Sequence, residues 1–491
     1  MSPPARTILV VAGEFPPLKT IGRIRTVKFV QHLRQLGWRC IVLTLEPTGS
    51  EPNYDASLLA EIPEGTEVIR VPFRDLEVAI ARTAKRLLGR PMDRKTGHQS
   101  ATAIPEAGAR SGAGATKSPD TQADGGAHGG SSRWLDSAHD LTRQLFTNYV
   151  YIPDSYRAWA NSALKRARQI VDSEAIDAIY TTLPPFSSAW VGYHLRRETG
   201  IPWLVDYRDL WYGDVLREWL PNWRQRLELA MERRLLKRAD AIITVSEPKT
   251  DYMRAVHPKL SARWETLTNG YDADIYAGQQ RTRSFADGRI EFVFTGRLFK
   301  NRRGYPFAEA MGRIAQRSPA LVKPVRVRML GGVAPEIRAH YDAILRAYGI
   351  AEHFEFAGDV SYREAMNAQI NCDYLLLIVD TGETSDGVIP GKLFEYVAAA
   401  RPVFALCDPG ITRQIIEKAN IGVVLDAENV DACEKALEDL LRQPVPRELA
   451  RNEDYLAQFD RREIARRFAN LLEEICMTKP STRQASPRPG P

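Results

Sequence analysis

Cysteine is scarce in this sequence and has no pattern. Cys40, Cys372, Cys407, Cys433 and Cys476 are odd in number, scattered over 491 residues, and free of any CxxC or Cys/His metal spacing. A disulfide framework and a structural zinc are therefore disfavoured, and a reducing compartment fits better. Long apolar runs are missing too. The longest, such as Tyr374 to Val379, fall far short of the roughly 20 residues that span a bilayer. No G-x-G-x-x-G follows the first strand-like run, which argues against a dinucleotide site. Neither sign of charge dominates: the net +6 allows attraction to phosphate-bearing substrates or an anionic membrane face, and makes no case for nucleic acid. What is present is ordinary for a soluble globular chain, with 44% hydrophobic and 26% charged residues. The length suggests two or three domains and ample chain for two cores.

Thr7 to Ala12 is a continuous apolar run, as expected of a parallel strand buried on both faces. It is too short for a signal peptide and flows through Gly13-Glu14 into a loop containing Phe15-Pro16-Pro17 and Gly22. An amphipathic helix follows, closed by Gly37, then a strand from Cys40 to Thr44. This is a βαβ unit whose ligand crevice lies at the strand's carboxyl end. Residues 72–92 carry Leu76, Ile80, Leu87 and Leu88 against Arg82, Lys85, Arg86 and Arg90. Such a segment either lies on an anionic membrane or packs on its own domain. Asp93 to Ser132 is rich in Gly, Ala, Ser and Thr and reads as a disordered insertion.

Further strands are expected at Ala178 to Thr182 and from Trp203 to Trp211, the latter delivering Asp206, Arg208 and Asp209 at its end. Burying those charges singly is costly, so they pair with one another or meet a ligand. A helix from Arg224 to Arg238 and a strand before Ser246 lead to Trp264–Asp272, where the first half closes. The second half restarts with a strand ending in Gly296-Arg297, then a basic loop, Lys300-Asn301-Arg302-Arg303-Gly304, ahead of a helix. Cations beside a helix start suit a diphosphate; a basic surface loop is the alternative. After strands ending near Leu330, Gly358 and Val379 comes the stretch from Ser385 to Ala405. Pro390-Gly391 opens a helix whose apolar face is Leu393, Phe394, Val397 and Ala398, leaving Lys392, Glu395, Tyr396 and Ala399 on the opposite stripe. Lys392 and Glu395 there are either a ligand-facing pair or a solvated ion pair.

This last stretch resembles the donor-site signature of retaining glycosyltransferases of the two-Rossmann-domain (GT-B) architecture, in particular glycosyltransferase family four and its exopolysaccharide, capsule and lipopolysaccharide relatives. The resemblance implies an α/β fold of two Rossmann-like doubly wound domains facing across a cleft. The acceptor side would be 1–270 and the nucleotide-sugar side 271–455, with a helix at 456–478 crossing back and a disordered tail at 479–491. It implies that Glu395 holds the donor ribose, with Gly391, Lys392 and Asp386 beside it. The family's first acid falls on Gly387, near which Asp386 or Glu383 stands. Gly296 and Arg297, with Arg303 or Lys300, would bind the diphosphate, and the loop after Gly358 would hold the base. Gly22 would allow close approach of donor and acceptor. Arg208, beside Asp209, stands where relatives often place a histidine next to the reacting sugar.

The implied reaction moves a sugar, with retention and without metal or cofactor, from a nucleoside diphosphate to a glycan or polyprenyl-linked acceptor. The implied setting is the cytoplasm, at the inner face of the plasma membrane where a peripheral contact exists, with no nucleic-acid partner. Two rivals share the architecture: a sugar-nucleotide 2-epimerase and a catalytically silent sugar-nucleotide-binding scaffold, the latter encouraged by Gly387 and Arg208.

Overall fold

The computed structural model describes residues 6–49, 51, 53–73, 149–214, 217–276, 279, 282, 288–382, 385–443 and 449–477. The basic segment after residue 73, the insertion at 93–132, Glu383 and the tail at 479–491 lie outside the described residues. The chain forms two compact units: residues 1–244, 254–265 and 468–491, and residues 245–253 and 266–467.

The first unit is built on a seven-stranded sheet in the order β3-β2-β1-β4-β5-β6-β7. Its strands are β1 (Thr7–Ala12), β2 (Arg39–Glu46), β3 (Glu67–Pro72), β4 (Ala178–Leu183), β5 (Trp203–Tyr207), β6 (Ala241–Thr244) and β7 (Arg263–Thr266). The central pairs are parallel, with Val10 opposite Val42 on one side and Tyr180 on the other. Every residue of β1 is buried, as its unbroken apolar run requires of a strand covered on both faces. β3 and β7 carry no such run. They lie at the sheet edges, where half-exposed faces admit Glu and Arg, and sequence reading passes over them. β5 stops at Tyr207, short of the expected Trp211, and Arg208, which follows it, pairs with Glu14. The last helix, Arg461–Met477, enters the first unit at Phe468, whose ring sits 4.5 Å from Phe29 and 5.2 Å from Tyr180.

The second unit is a six-stranded sheet in the order β10-β9-β8-β11-β12-β13, parallel throughout. Here β8 is Ile290–Thr295, β9 Val325–Leu330, β10 Phe354–Gly358, β11 Tyr374–Ile378, β12 Val403–Leu406 and β13 Gly422–Leu425. Phe292 anchors one face, stacked 5.0 Å from Tyr374 and edge-on 5.1 Å from Phe307. Burying such a ring is worth about 1.5–3 kcal/mol. The other face packs under the Gly391–Ala399 helix. Both units are doubly wound parallel-sheet domains, the fold class the resemblance implies.

The Gly391–Ala399 helix corrects the two-sided reading of its sequence. Leu393, Phe394 and Val397 are buried as expected, yet so are Tyr396 and Ala399, while Ala398 is only half-buried. Tyr396 is held against the sheet, its hydroxyl accepting the Thr295 N–H at 3.0 Å and donating to the Leu376 carbonyl at 3.2 Å, while Phe459 covers Phe394 at 5.7 Å. The helix ends on Ala400, a left-handed residue at φ +53°. A β-carbon costs roughly 1–2 kcal/mol in that region. Replacing Ala400 with glycine removes that strain, less the greater unfolded-chain entropy of glycine. Ala400→Gly is expected to raise unfolding stability by about 0.5–1 kcal/mol in a urea titration; a loss of stability would contradict the assigned conformation.

Candidate functional site

In an open parallel sheet, ligands bind at the carboxyl ends of the strands where the order reverses, which in the second unit is between β8 and β11. Three neighbouring strands end there in glycine. Gly296 follows β8 at φ +125°, Gly331 follows β9 at φ +129°, and Gly358 closes β10 at φ +70°. Backbone bonds lace them together: Gly296 N–H to Leu330 O at 2.8 Å, Gly331 N–H to Gly358 O at 2.7 Å, and Leu298 N–H to Gly332 O at 3.0 Å. A side chain at Gly331 would collide with the Gly296 carbonyl. Bare backbone therefore lines this edge.

Cations surround it. Arg297 is exposed and lies over Gly332, its Nε 3.2 Å from where a β-carbon would stand. Lys300 is exposed at φ +53°. Arg303 folds its Nε back to the Lys300 carbonyl at 3.0 Å, so it braces the loop, while Arg302 pairs with Asp380. Both alternatives for the second diphosphate cation, Lys300 and Arg303, are exposed, and Arg303 is the one tied to the loop backbone.

Lys392 is the unusual member. Its Nζ is buried, has no hydrogen-bond partner among the described residues, and stands 4.0 Å over the Phe294 ring. It occupies the space where Gly296 lacks a side chain: a β-carbon there would lie 2.7 Å from Nζ. Burial drives the Lys392 ammonium well below lysine's ordinary pKa, and nearby Arg302 adds to the effect. Lys392 and Glu395 are thus no solvated ion pair. Glu395 accepts from Gln369 Nε2 at 3.1 Å, and Gln369 also donates to Thr295 Oγ1 at 3.0 Å. Burial raises the Glu395 carboxyl, opposed by the Gln369 hydrogen bond and by the charge of Arg461. Gly391 is exposed at the first turn of the helix. Asp386 is exposed, its backbone pressed against Gly410. Gly387 is buried and its carbonyl accepts from Ser246 Oγ at 2.9 Å. A β-carbon at Gly387 would meet nothing closer than 3.6 Å, so the missing acid is not forced by the backbone.

In the first unit the order reverses between β1 and β4, and the polar cluster sits at that edge. Asp206 is fully buried and pairs with Arg25 through two contacts of 2.9 Å, with Tyr180 Oη at 2.6 Å as a further donor. Arg208 pairs with Glu14 at 2.7 Å and donates to the Pro184 carbonyl. Neither partner was visible from spacing, because Arg25 and Glu14 come from 181 and 194 residues away. Asp209 lies half-buried beside Arg208. Gly22 also reads differently in the fold. The room it leaves is filled by the Arg208 guanidinium and the Glu14 carboxylate, which any side chain at 22 would displace. Sequence reading missed Gln369, Thr295 and Tyr396, which hold Glu395 and its helix; among them only the tyrosine of Lys-Leu-Phe-Glu-Tyr belonged to a motif.

Comparison with known proteins agrees with the fold of both units. Residues 141–270 match the family described as a glycosyl transferase 4-like domain, and residues 289–443 match glycosyl transferases group 1. Together these spans cover more than half the chain. No curated protein matches it. Among solved structures it is similar to sucrose-phosphate synthase from Thermosynechococcus elongatus, at 15% identity and TM-score 0.57 over 96% of this chain and 100% of that one. It is similar to HepE of Anabaena in complex with UDP and glucose, at 12% identity and TM-score 0.53 over 96% and 100%. It is similar also to an E. coli trehalose-6-phosphate protein bound with UDP-2-fluoro glucose, at 12% and 0.58 over 95% and 99%. At these identities the likeness is one of fold.

The buried lysine makes a prediction about the free protein. Between its lowered pKa and lysine's ordinary one, the unfolded chain holds a proton that the folded chain lacks. Stability contributed by this group is therefore present at alkaline pH and lost as pH falls. Lys392→Met removes the buried charge while keeping the volume. The variant is expected to gain on wild type in urea titrations at about pH 7 and to lose that advantage towards about pH 10. Equal pH profiles for the two proteins would show that Nζ is solvated.

Proposed function

This chain belongs to the glycosyltransferases of GT-B type, with a family-four-like first domain and a group 1 second domain, and we propose that it moves a sugar with retention from a nucleoside diphosphate to a glycan or lipid-linked acceptor in cell-surface polysaccharide synthesis. The observation that carries the donor half is the glycine edge of the second unit, with Arg297 and Lys300 exposed and Lys392 buried without a partner. Bare backbone admits a diphosphate closely, and fixed cations answer the charge it gains as the sugar leaves. Charge neutralisation of this kind asks nothing of a metal. Glu395, held by Gln369, accepts hydrogen bonds from a ribose rather than attacking the sugar. Solved structures of similar fold hold UDP with glucose and UDP-2-fluoro glucose, which supports a uridine nucleotide as the first donor to try.

In the first unit, Arg208, held by Glu14 at the carboxyl edge, is the candidate acceptor-side residue. Retention follows from the family resemblance of the Glu395 helix. The donor reading is tested by thermal stabilisation with UDP, GDP and ADP, with and without EDTA. A hundredfold excess over Kd stabilises the native state by about 2.7 kcal/mol. One nucleotide is expected to give that shift independently of EDTA, and Glu395→Ala is expected to lose it. Arg297→Ala is expected to lower turnover about 10²–10³-fold, as loss of one preorganised charge does elsewhere. A product of inverted anomeric configuration by NMR would sink the mechanism. Nucleotide binding with neither transfer nor epimerisation would favour the silent scaffold, which Gly387 at the usual acid position encourages.

A further inference from the structure

The helix Asn222–Leu236 in the first unit is packed inside out. Its buried side carries Arg224, Glu228 and Glu232, spaced four apart on one stripe, and only then Leu235 and Leu236. Its outward side carries Trp223, Arg226, Leu227, Arg233 and Arg234, all exposed. Amphipathic helices of water-facing domains show the reverse. The buried charges are paired, which fixes the rotation. Arg224 and Glu228 pair at 2.7 Å, Trp211 Nε1 donates to Glu228 at 2.8 Å, and Tyr207 Oη donates to Glu232 at 2.9 Å with His257 Nε2 at 3.2 Å. Rolling the helix to hide Trp223 would strand these charges, a loss far larger than one indole's burial recovers.

The exposed apolar groups gather at the helix start. Trp223 is 45% exposed, Leu227 41% and Trp219 37%, and Tyr149 stacks on Trp223 with ring centroids 5.6 Å apart. Gln225 Nε2 donates to the Leu220 carbonyl at 2.8 Å and so ties the Trp219 turn to the helix. Past this cluster the outward face turns basic, through Arg233, Arg234, Lys237 and Arg238, all exposed. Both carboxylates between Asn222 and Arg238 point inward, and Glu218 is the one exposed acid beside the cluster among residues 217–238.

We propose that this face is a membrane-docking surface, seating Trp219, Trp223 and Leu227 at the headgroup boundary of an anionic bilayer with Arg226, Arg234 and their basic neighbours on the lipid phosphates. Indole and phenol rings favour that boundary because one end is apolar and the other polar. No helix among the described residues is long and apolar enough to cross a membrane, so contact is made from the surface. Charge complementarity selects this occupant. A second copy would bring the same cations face to face, and the chain's own segment at 72–92 carries Arg82, Lys85, Arg86 and Arg90. The inference stands apart from the donor site, and failure of one leaves the other untouched.

The test is co-sedimentation of the full chain with phosphatidylcholine vesicles that contain or lack phosphatidylglycerol, at rising salt. Wild type is expected to bind the anionic vesicles, with tryptophan emission shifting to the blue, and to release as salt screens the charges. The double variants Trp223→Ser/Leu227→Ser and Arg226→Glu/Arg234→Glu are each expected to weaken binding about tenfold or more. Their nucleotide-induced thermal shifts should match wild type, which separates a docking defect from misfolding. Wild type that ignores anionic vesicles overturns the proposal, as do variants that bind as wild type does. A vesicle-free dimer abolished by Trp223→Ser/Leu227→Ser also overturns it, since the face would then join two copies.

Discussion

One phenolic hydroxyl fastens the Gly391–Ala399 helix to the sheet. Tyr396 Oη accepts the Thr295 N–H at 3.0 Å and donates to the Leu376 carbonyl at 3.2 Å, so it bridges the end of β8 and the middle of β11. These are the two strands that flank the reversal of strand order. With Tyr396 fixed, Lys392 one turn earlier must lie over Phe294 and beside Gly296, and Glu395 must face Gln369. The conformation of Gly296 and the burial of Lys392 then depend on each other: the glycine leaves the space that the amine fills. A buried ammonium without a partner is costly in the free protein, and a bound polyanion would offset that cost. Stability set aside at a binding edge in this way is common where function needs a prepared charge.

The first unit answers the same problem of buried charge by closing it. Asp206 has Arg25 and Tyr180, and Arg208 has Glu14, so each charge at that edge is met within the unit. The contrast is informative. Pairing of this quality gives a rigid polar wall, whereas Lys392, Arg297 and Lys300 keep unmet donor capacity at theirs. The same habit of satisfying charge inside the fold sets the Asn222–Leu236 helix, where Arg224, Glu228 and Glu232 hold the inner side and leave the indole of Trp223 outside.

Much of this was legible in the chain. Unbroken apolar runs such as Thr7–Ala12 and Tyr374–Ile378 marked buried parallel strands, and glycines at 296, 331 and 358 marked where strands end. Local pattern failed where the deciding contact was distant. The edge strands Glu67–Pro72 and Arg263–Thr266 lack an apolar run because only part of each is covered. Tyr396 looked solvent-facing at helical spacing, since nothing local announces that its hydroxyl reaches Thr295 and Leu376 in the sheet. Arg25 with Asp206 and Glu14 with Arg208 are partners across most of a domain, and no spacing rule joins them. Lys392 and Glu395 had two readings open, a ligand-facing pair and a solvated one; burial of Nζ removes the second.

We propose that the Lys392 amine, held below its ordinary pKa in the free protein by burial beside Phe294, becomes a charged partner of the donor diphosphate. Calorimetric titration of the preferred nucleoside diphosphate near neutral pH, in two buffers of different ionisation enthalpy, measures this directly. Net proton uptake is expected on binding by wild type, with both weaker affinity and less proton uptake in Lys392→Met. Binding with no buffer dependence, or equal proton uptake in the variant, would contradict it.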